Sequence, residues 1–186
     1  MTDPIVELKV RAELLHKAVA ANDSHALERL RALPEHRKAD AAALAALVEG
    51  VRHKHCLAVV AREVGFTGWD HAVRVIEGDP AEADFGDLLS SPGRGAFLNQ
   101  WLATYDEAKA IHRELCVSGA GSYLLAFRRH FFLTERGYVE SLGLDPDDAD
   151  WAAMGWDWAR PASVDARRRL YGRLVTRQPP QGAARS

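Results

Sequence analysis

Residues 54–76, KHCLAVVAREVGFTGWDHAVRVI, place a glycine between two apolar helical runs, and this restricts what the chain can become. Leu57, Val60 and Val64 recur at helical spacing, which predicts a helix with one apolar face. Gly65 stands just past that run, where a left-handed residue closes a helix without a Cβ penalty. Phe66 is placed to fold back on the last turn. Thr67 and Asp70, three residues apart, form a weaker version of the capping box for a second helix. Trp69, Val73 and Ile76 are its expected buried stripe, and Gly78 its stop. Two helices meeting at a fixed corner are therefore expected, with the inward side chains holding the first part of the chain together.

The same logic extends to both sides of the corner. Asp3 before Pro4 is a helix opening, a capping carboxylate followed by proline at the first helical position. Ile5, Leu8, Ala12, Leu15 and Val19 make its apolar stripe. Asn22-Asp23-Ser24 breaks that helix and caps a short run with Leu27, Leu30 and Leu33, which Pro34 stops. An alanine-dense helix over 40–49, with Leu44, Leu47 and Val48, is expected to be well covered by its neighbours. Residues 1–78 thus read as an all-α lobe of four or five short helices.

Between 79 and 96 prolines, glycines and acids mark a connecting loop, pinned by Phe85, Leu88 and Leu89. After it the period changes. Residues 97–102 alternate as a strand, with Phe97, Asn99 and Trp101 on one face. Thr104 and Glu107 form a capping box for a helix to about 117, which the glycines of 118–121 end. Residues 123–133, YLLAFRRHFFL, read as a strand bent at Arg128-Arg129. Thr134 is expected to cap a short helix, Asp145–Asp150 to start another, and Ser163 to cap a last one carrying Leu170, Tyr171, Leu174 and Val175. Residues 179–186 read as a disordered tail. The predicted fold is mainly α with a small α+β part: a helical N-terminal lobe (1–78) packed on a C-terminal lobe (97–178) with a short mixed sheet and helices on one side.

A chain of 186 residues with 47% apolar and 27% charged residues suits a soluble globular protein with a core of its own. No apolar run reaches the ~20 residues of a membrane helix, and no secretory signal is evident. Two cysteines, Cys56 and Cys116, predict reduced thiols and a cytoplasmic location. The net charge of -2 conceals an asymmetry: residues 1–78 balance, 79–159 are acidic, and 160–186 are arginine-rich. The acidic middle can pair with the basic end inside one molecule, or the end can present a basic patch to an anionic partner. A net charge so near zero speaks against nucleic acid as the main partner.

Residues 61–69, Ala-Arg-Glu-Val-Gly-Phe-Thr-Gly-Trp, resemble a helical segment found in many uncharacterised bacterial proteins, often ahead of ankyrin repeats. The resemblance spans about 25 residues and implies a structural unit rather than an activity. No repeat follows it here. The segment is also similar to the helix-turn-helix of AraC-type regulators, with Ala61, Gly65, Phe66, His71, Arg74 and Val75 in step. Ala72 stands where that family has an aromatic, Trp69 takes a base-reading position, and the second helix offers one arginine against Asp70 and Glu77.

Several groups of residues could carry chemistry. Arg128, Arg129 and His130 interrupt the most apolar segment, so they need either an ion pair with Asp84, Asp87 or Asp157, or a bound small anion. With Asn99 and Asp84 they form the predicted ligand site. His53, Cys56, His112 and Cys116 could hold zinc if two helices met, although no CxxC or HExxH signature supports a metal. Trp151, Trp156 and Trp158 read as a plug over a small core. Asp84-Phe85-Gly86 has the letters of a kinase magnesium motif without the rest of a kinase, and the glycines of 118–122 follow a helix instead of opening one. No cofactor signature and no nucleophile–base pair is evident. The expected function is that of a bacterial interaction or regulatory module without catalysis, acting on a protein partner or at a groove near the connection. An enzyme or small-anion-binding protein using 128–130, and a DNA-binding regulator, are the alternatives.

Overall fold

The structure, a computed structural model, describes residues 3–89, 97–119 and 121–177. Residues 90–96, Ala120 and the 179–186 tail, on which part of the connection, one helix stop and the expected disorder fall, lie outside them. The chain is mainly helical, with a small three-stranded antiparallel sheet in its C-terminal half.

The first half follows its caps. Helix α1 (Pro4–Ala20) opens with the Asp3 carboxylate accepting from the amides of Ile5 and Val6, at 2.9 and 3.1 Å. All five expected stripe residues of α1 are buried. Asp23 caps α2 (Ser24–Arg29), which tightens into a 3-10 turn over Leu30–Ala32 before Pro34. Arg29 on α2 grips Glu63 with two bonds of 2.7 and 2.8 Å. Helix α3 (Ala41–Ala46) is the exception. It buries only Leu44, so the expected cover is missing: the alanines face solvent, where high helix propensity rather than close packing keeps them helical.

Helices α4 (His53–Glu63) and α5 (Trp69–Glu77) form the corner, with Gly65 at φ +98. The amide of Phe66 donates to Ala61 O and that of Gly65 to Arg62 O, both at 3.0 Å, a Schellman closure with Phe66 buried beneath it. The cap of α5 differs from the expected one. Neither Thr67 nor Asp70 supplies it. The Thr67 amide donates to His71 Nδ1 (3.0 Å), and His71 Nε2, which therefore carries the proton, donates to Asp84 O (2.8 Å). The buried stripe of α5 is rotated accordingly, with His71, Ala72, Val75 and Ile76 innermost and Trp69 and Val73 at its margin.

The described part of the connection is stitched to that corner. The Asp87 amide donates to Gly65 O (2.9 Å), the Arg128 amide to Gly86 O (2.7 Å), and the Phe85 amide to Arg128 O (2.9 Å). A Cβ on Gly86 would lie 2.5 Å from Gly65 O, so two glycines permit this approach. Leu88 and Leu89 are buried and pin the segment, as expected.

In the second half, strand β1 (Gln100–Leu102) is shorter than the expected 97–102. Thr104 and Glu107 cap α6 (Tyr105–Val117). The expected bent strand is a hairpin of β2 (Tyr123–Phe127) and β3 (His130–Thr134), with Arg128-Arg129 as its two-residue turn and Arg128 at φ +49. Strand order is β1-β3-β2, and both ladders are antiparallel where mixed pairing was expected; one isolated parallel bridge joins Leu124 to Asp157. Both faces of the sheet are covered, not one. Leu124, Ala126 and Leu133 pack with Ala108 of α6, while Leu125 and Phe132 join the main core. Thr134 ends β3 and donates to Asn99 Oδ1 (2.7 Å) instead of capping α7 (Arg136–Ser141).

Asp148 caps α8 (Ala149–Ala153), and Ser163 Oγ accepts from Ala166 at the start of α9 (Val164–Arg177). Trp151 and Trp158 are fully buried and Trp156 is exposed, so two of the three tryptophans form the plug. Helix α9 packs on α1, α5 and α8, and one apolar cluster runs from Ile5 to Val175 through both halves. The basic end pairs internally within the described residues: Arg168 with Asp3, Arg169 with Asp150, Arg173 with Asp148 and Asp150.

Candidate functional site

Where the two halves meet, a cleft of about 530 Å³ opens between the end of α5, the connection, the hairpin and the start of α9. Its walls follow from the local chemistry of each element. The Schellman glycine of α5, Gly78 (φ +79), leaves space that a side chain would take: a Cβ there would lie 2.8 Å from Val164 Cγ1 and 3.0 Å from Arg167 Nη2. The connection then runs along the rim as Asp79, Pro80 and Ala81.

Arg167 in the first turn of α9 is the unusual group. It is 3% exposed, on the same face as Leu170 and Tyr171. Its Nη1 donates to Trp158 O (2.9 Å) and its Nη2 to Val75 O (3.0 Å), while its Nε is buried without a hydrogen bond. Among the described residues no carboxylate pairs with it. A buried guanidinium ordinarily has an ionic partner, because carbonyl dipoles offset only part of the lost hydration.

Two further guanidiniums line the cleft. Arg160 lies over the Tyr105 ring at 4.0 Å, and Arg129 is the second residue of the hairpin turn. Neither makes an ion pair among the described residues. Arg160 is positioned by Asp157, a carboxylate 1% exposed that acts as a hub. One Asp157 oxygen accepts from the Arg160 amide (2.9 Å); the other accepts from the Tyr105 hydroxyl (2.7 Å) and Lys109 Nζ (2.8 Å). Burial, and then the bond to Asp157, push the Tyr105 phenol well above its ordinary range, so it stays protonated and committed to that bond.

The acids at the rim are engaged elsewhere. Glu82 accepts from Arg74 Nε (2.9 Å) and from the Asp84 amide (3.0 Å). Burial works to raise its pKa, but these donors outweigh it and hold the carboxyl below its usual value. Asp79 accepts from the Ala81 amide (2.9 Å).

The five residues predicted as a ligand site are distributed over several places. Arg129 lines the cleft. Arg128 and Asp84 line a second, more open groove of about 470 Å³, with Arg37, Arg62 and Asp87. There Arg128 reaches Asp87 at 3.5 Å and Asp84 accepts from the Gly86 amide, so the charges are largely matched. His130 begins β3 exposed, opposite Phe127, and Asn99 is held by Thr134. Tyr105, Arg160 and Arg167 were not singled out by the sequence. The signal for Arg167 was legible: a charge at three and four residues before Leu170 and Tyr171 falls on the buried stripe of its helix.

The four-ligand zinc alternative is not assembled. Among the described residues no three His, Cys, Asp or Glu side chains are gathered to hold a metal ion. His53 rests edge-on against His16, and Cys56 is fully buried in the main core, where burial pushes its thiol up to about 11. His112 and Cys116 do adjoin on α6, Sγ to Nε2 3.6 Å, but His112 Nε2 donates to Ser122 O (3.0 Å). On α5 the exposed positions are Asp70, Arg74 and Glu77, and Arg74 is tied to Glu82, which leaves little for a base edge. No helix among the described residues is long and apolar enough to cross a membrane.

No family model, curated protein or solved structure matches this chain.

Proposed function

We propose that the protein is a regulatory or binding module that takes a small anion non-covalently into the cleft between its halves. The observation that carries this reading is Arg167: a buried guanidinium in a cavity wall, bonded once from each Nη to a carbonyl and with no carboxylate partner among the described residues. Arg160 and Arg129 add charge at the same place, and the first turns of α6 and α9 contribute to its walls. The groups present are suited to holding a ligand rather than transforming it, since the one phenol in the wall is committed to Asp157.

The test is a two-dimensional amide NMR titration with a panel of anionic, neutral and cationic fragments. Anionic fragments are expected to shift the amides of Gly78, Tyr105, Arg129 and Val164, and Arg129→Gln to weaken the response. Shifts confined to other surfaces would overturn the reading.

A protein partner is a second reading, favoured by one observation. β1 forms an edge of the sheet, beside a half-exposed Trp101 and a fully exposed Leu98. If this edge binds a second copy of the chain, sedimentation will show concentration-dependent association that Trp101→Lys abolishes.

A further inference from the structure

We infer that the ligand of this cleft is a planar-ring acid, an aromatic or heteroaromatic ring bearing one carboxylate or phosphate group. The inference rests on the reading of the cleft as an anion site and adds the identity of the ligand's body. Its basis is the contrast between the two sides of the cavity. On one side the rings of Phe85, Phe131 and Tyr105 form a continuous edge-to-face series, with centroids 6.1 and 5.7 Å apart. Arg160 covers the end of that series, its guanidinium 4.0 Å from the Tyr105 centroid. One face of this planar cation is taken by Tyr105. Arg160 itself is exposed and without an ion pair among the described residues, so its other face is open to a second flat group.

The lining also holds Val75, Val164 and Arg167, whose Nη groups each keep one hydrogen beyond the bonds to Trp158 O and Val75 O, suited to a carboxylate or phosphate oxygen. An inorganic anion alone would satisfy Arg167 and leave the valines and the aromatic side wet in a cavity of about 530 Å³. A neutral ring would cover the apolar surface and leave the buried guanidinium with two carbonyls and the Tyr171 ring but no counter-charge. A ring that carries its charge at one end answers both walls.

The experiment uses the full chain and measures dissociation constants by the same NMR titration. The probes are benzoate, phenyl phosphate and 2-naphthoate as ring acids, acetate and inorganic phosphate as anions without a ring, and benzyl alcohol as a ring without charge. The ring acids are expected to bind at least about tenfold more tightly than either control class. The stronger of benzoate and phenyl phosphate then identifies the acid group. Arg160→Gln should weaken the ring acids about tenfold. Arg160→Lys, which keeps the charge and loses the planar face, should lower the preference for benzoate over acetate. Arg31→Gln, outside the cleft, should leave every constant within about twofold. Because Arg160 is exposed, its variants test the site without the folding risk of replacing Arg167. Acetate or inorganic phosphate binding as tightly as the ring acids would overturn the planar-ring assignment while the anion site stands. Benzyl alcohol binding as tightly as benzoate, unaffected by Arg160→Gln, would overturn both, as would the absence of any shift at the cleft amides.

Discussion

At the scale of single residues, the positions that decide this structure are those where a side chain has no room or a charge has no water. Gly65 is the clearest. Its backbone is left-handed at φ +98, and a Cβ would lie 2.7 Å from the amide nitrogen of Leu88 and against the Asp87 carboxylate. Gly119 is left-handed too, at φ +77, but a Cβ there meets nothing within 4 Å among the described residues. Gly65→Ala is therefore expected to cost about 3 kcal/mol and Gly119→Ala about 1 kcal/mol in urea unfolding, the difference being the steric contribution alone. His112 supplies a second prediction. Burial first, and Lys109 second, hold its pKa below the ordinary histidine value. The unfolded chain thus takes up a proton before the folded one does. Stability should fall as pH drops below about 6.5 and His112 passes through its lowered folded value, and His112→Gln should flatten that dependence. Unfolding curves between pH 7.5 and 5.5 provide the check. Residue-scale features were legible where a rule is local. The Asp3, Asp23, Thr104 and Ser163 caps all follow from sequence spacing alone. The start of α5 did not, because the ring that holds the Thr67 amide before it, His71, is fixed by the Asp84 carbonyl from a segment outside the helix.

At the scale of elements, the hairpin shows why the second half was harder to read. YLLAF and HFFLT are buried on both faces of the sheet, so neither alternates, and periodicity alone leaves one long apolar run. The turn between them has no Gly, Asn or Asp, although Arg128 takes φ +49. The neighbouring chain supplies what the turn residues lack: Gly86 O accepts the Arg128 amide, and Arg128 O accepts from Phe85. Arg128→Gly should relieve the strained backbone and lose an exposed 3.5 Å pairing with Asp87 and a guanidinium contact 5.3 Å from the Phe127 ring centroid, both weak at an exposed site. A stability gain of roughly 0.5 kcal/mol is expected. A loss above about 1 kcal/mol would show that the Arg128 side chain matters more than its backbone. The same turn divides the two predicted arginines, Arg129 facing the cleft and Arg128 the charge-matched groove. An alternation argument for a straight strand places Arg128 and His130 together and so pairs the wrong residues.

At the scale of the whole molecule, the feature least legible from the sequence is where α9 goes. Composition changes at residue 79 and suggests two lobes, and the caps of α9 give its bounds, but nothing local says that it packs on α1 and α5. Leu170, Tyr171, Leu174 and Val175 are all buried there, in the same cluster as Leu8 and Leu15. Removing these four side chains forfeits roughly 6–12 kcal/mol of apolar burial, as much as the whole net stability of an ordinary domain. The fragment 1–163 is accordingly expected to lack cooperative thermal unfolding by circular dichroism, and the full chain to give one calorimetric transition, not two. Retention of a cooperative helical transition in the fragment would mean that the elements before α9 are self-sufficient without it.

That placement has a bearing on biosynthesis. A ribosome releases α1 well before α9, and at about 5–20 residues per second the intervening stretch takes on the order of 10–30 s to emerge. Throughout that interval the inward face of α1 is without the helix that seals it, and the two arginine-bearing segments that shape the cleft are still apart. Ligand cannot assist the nascent chain through this period, because Arg160 and Arg167 arrive with the closing piece. Premature termination anywhere before residue 170 leaves the quality-control machinery a product with its apolar interior still open.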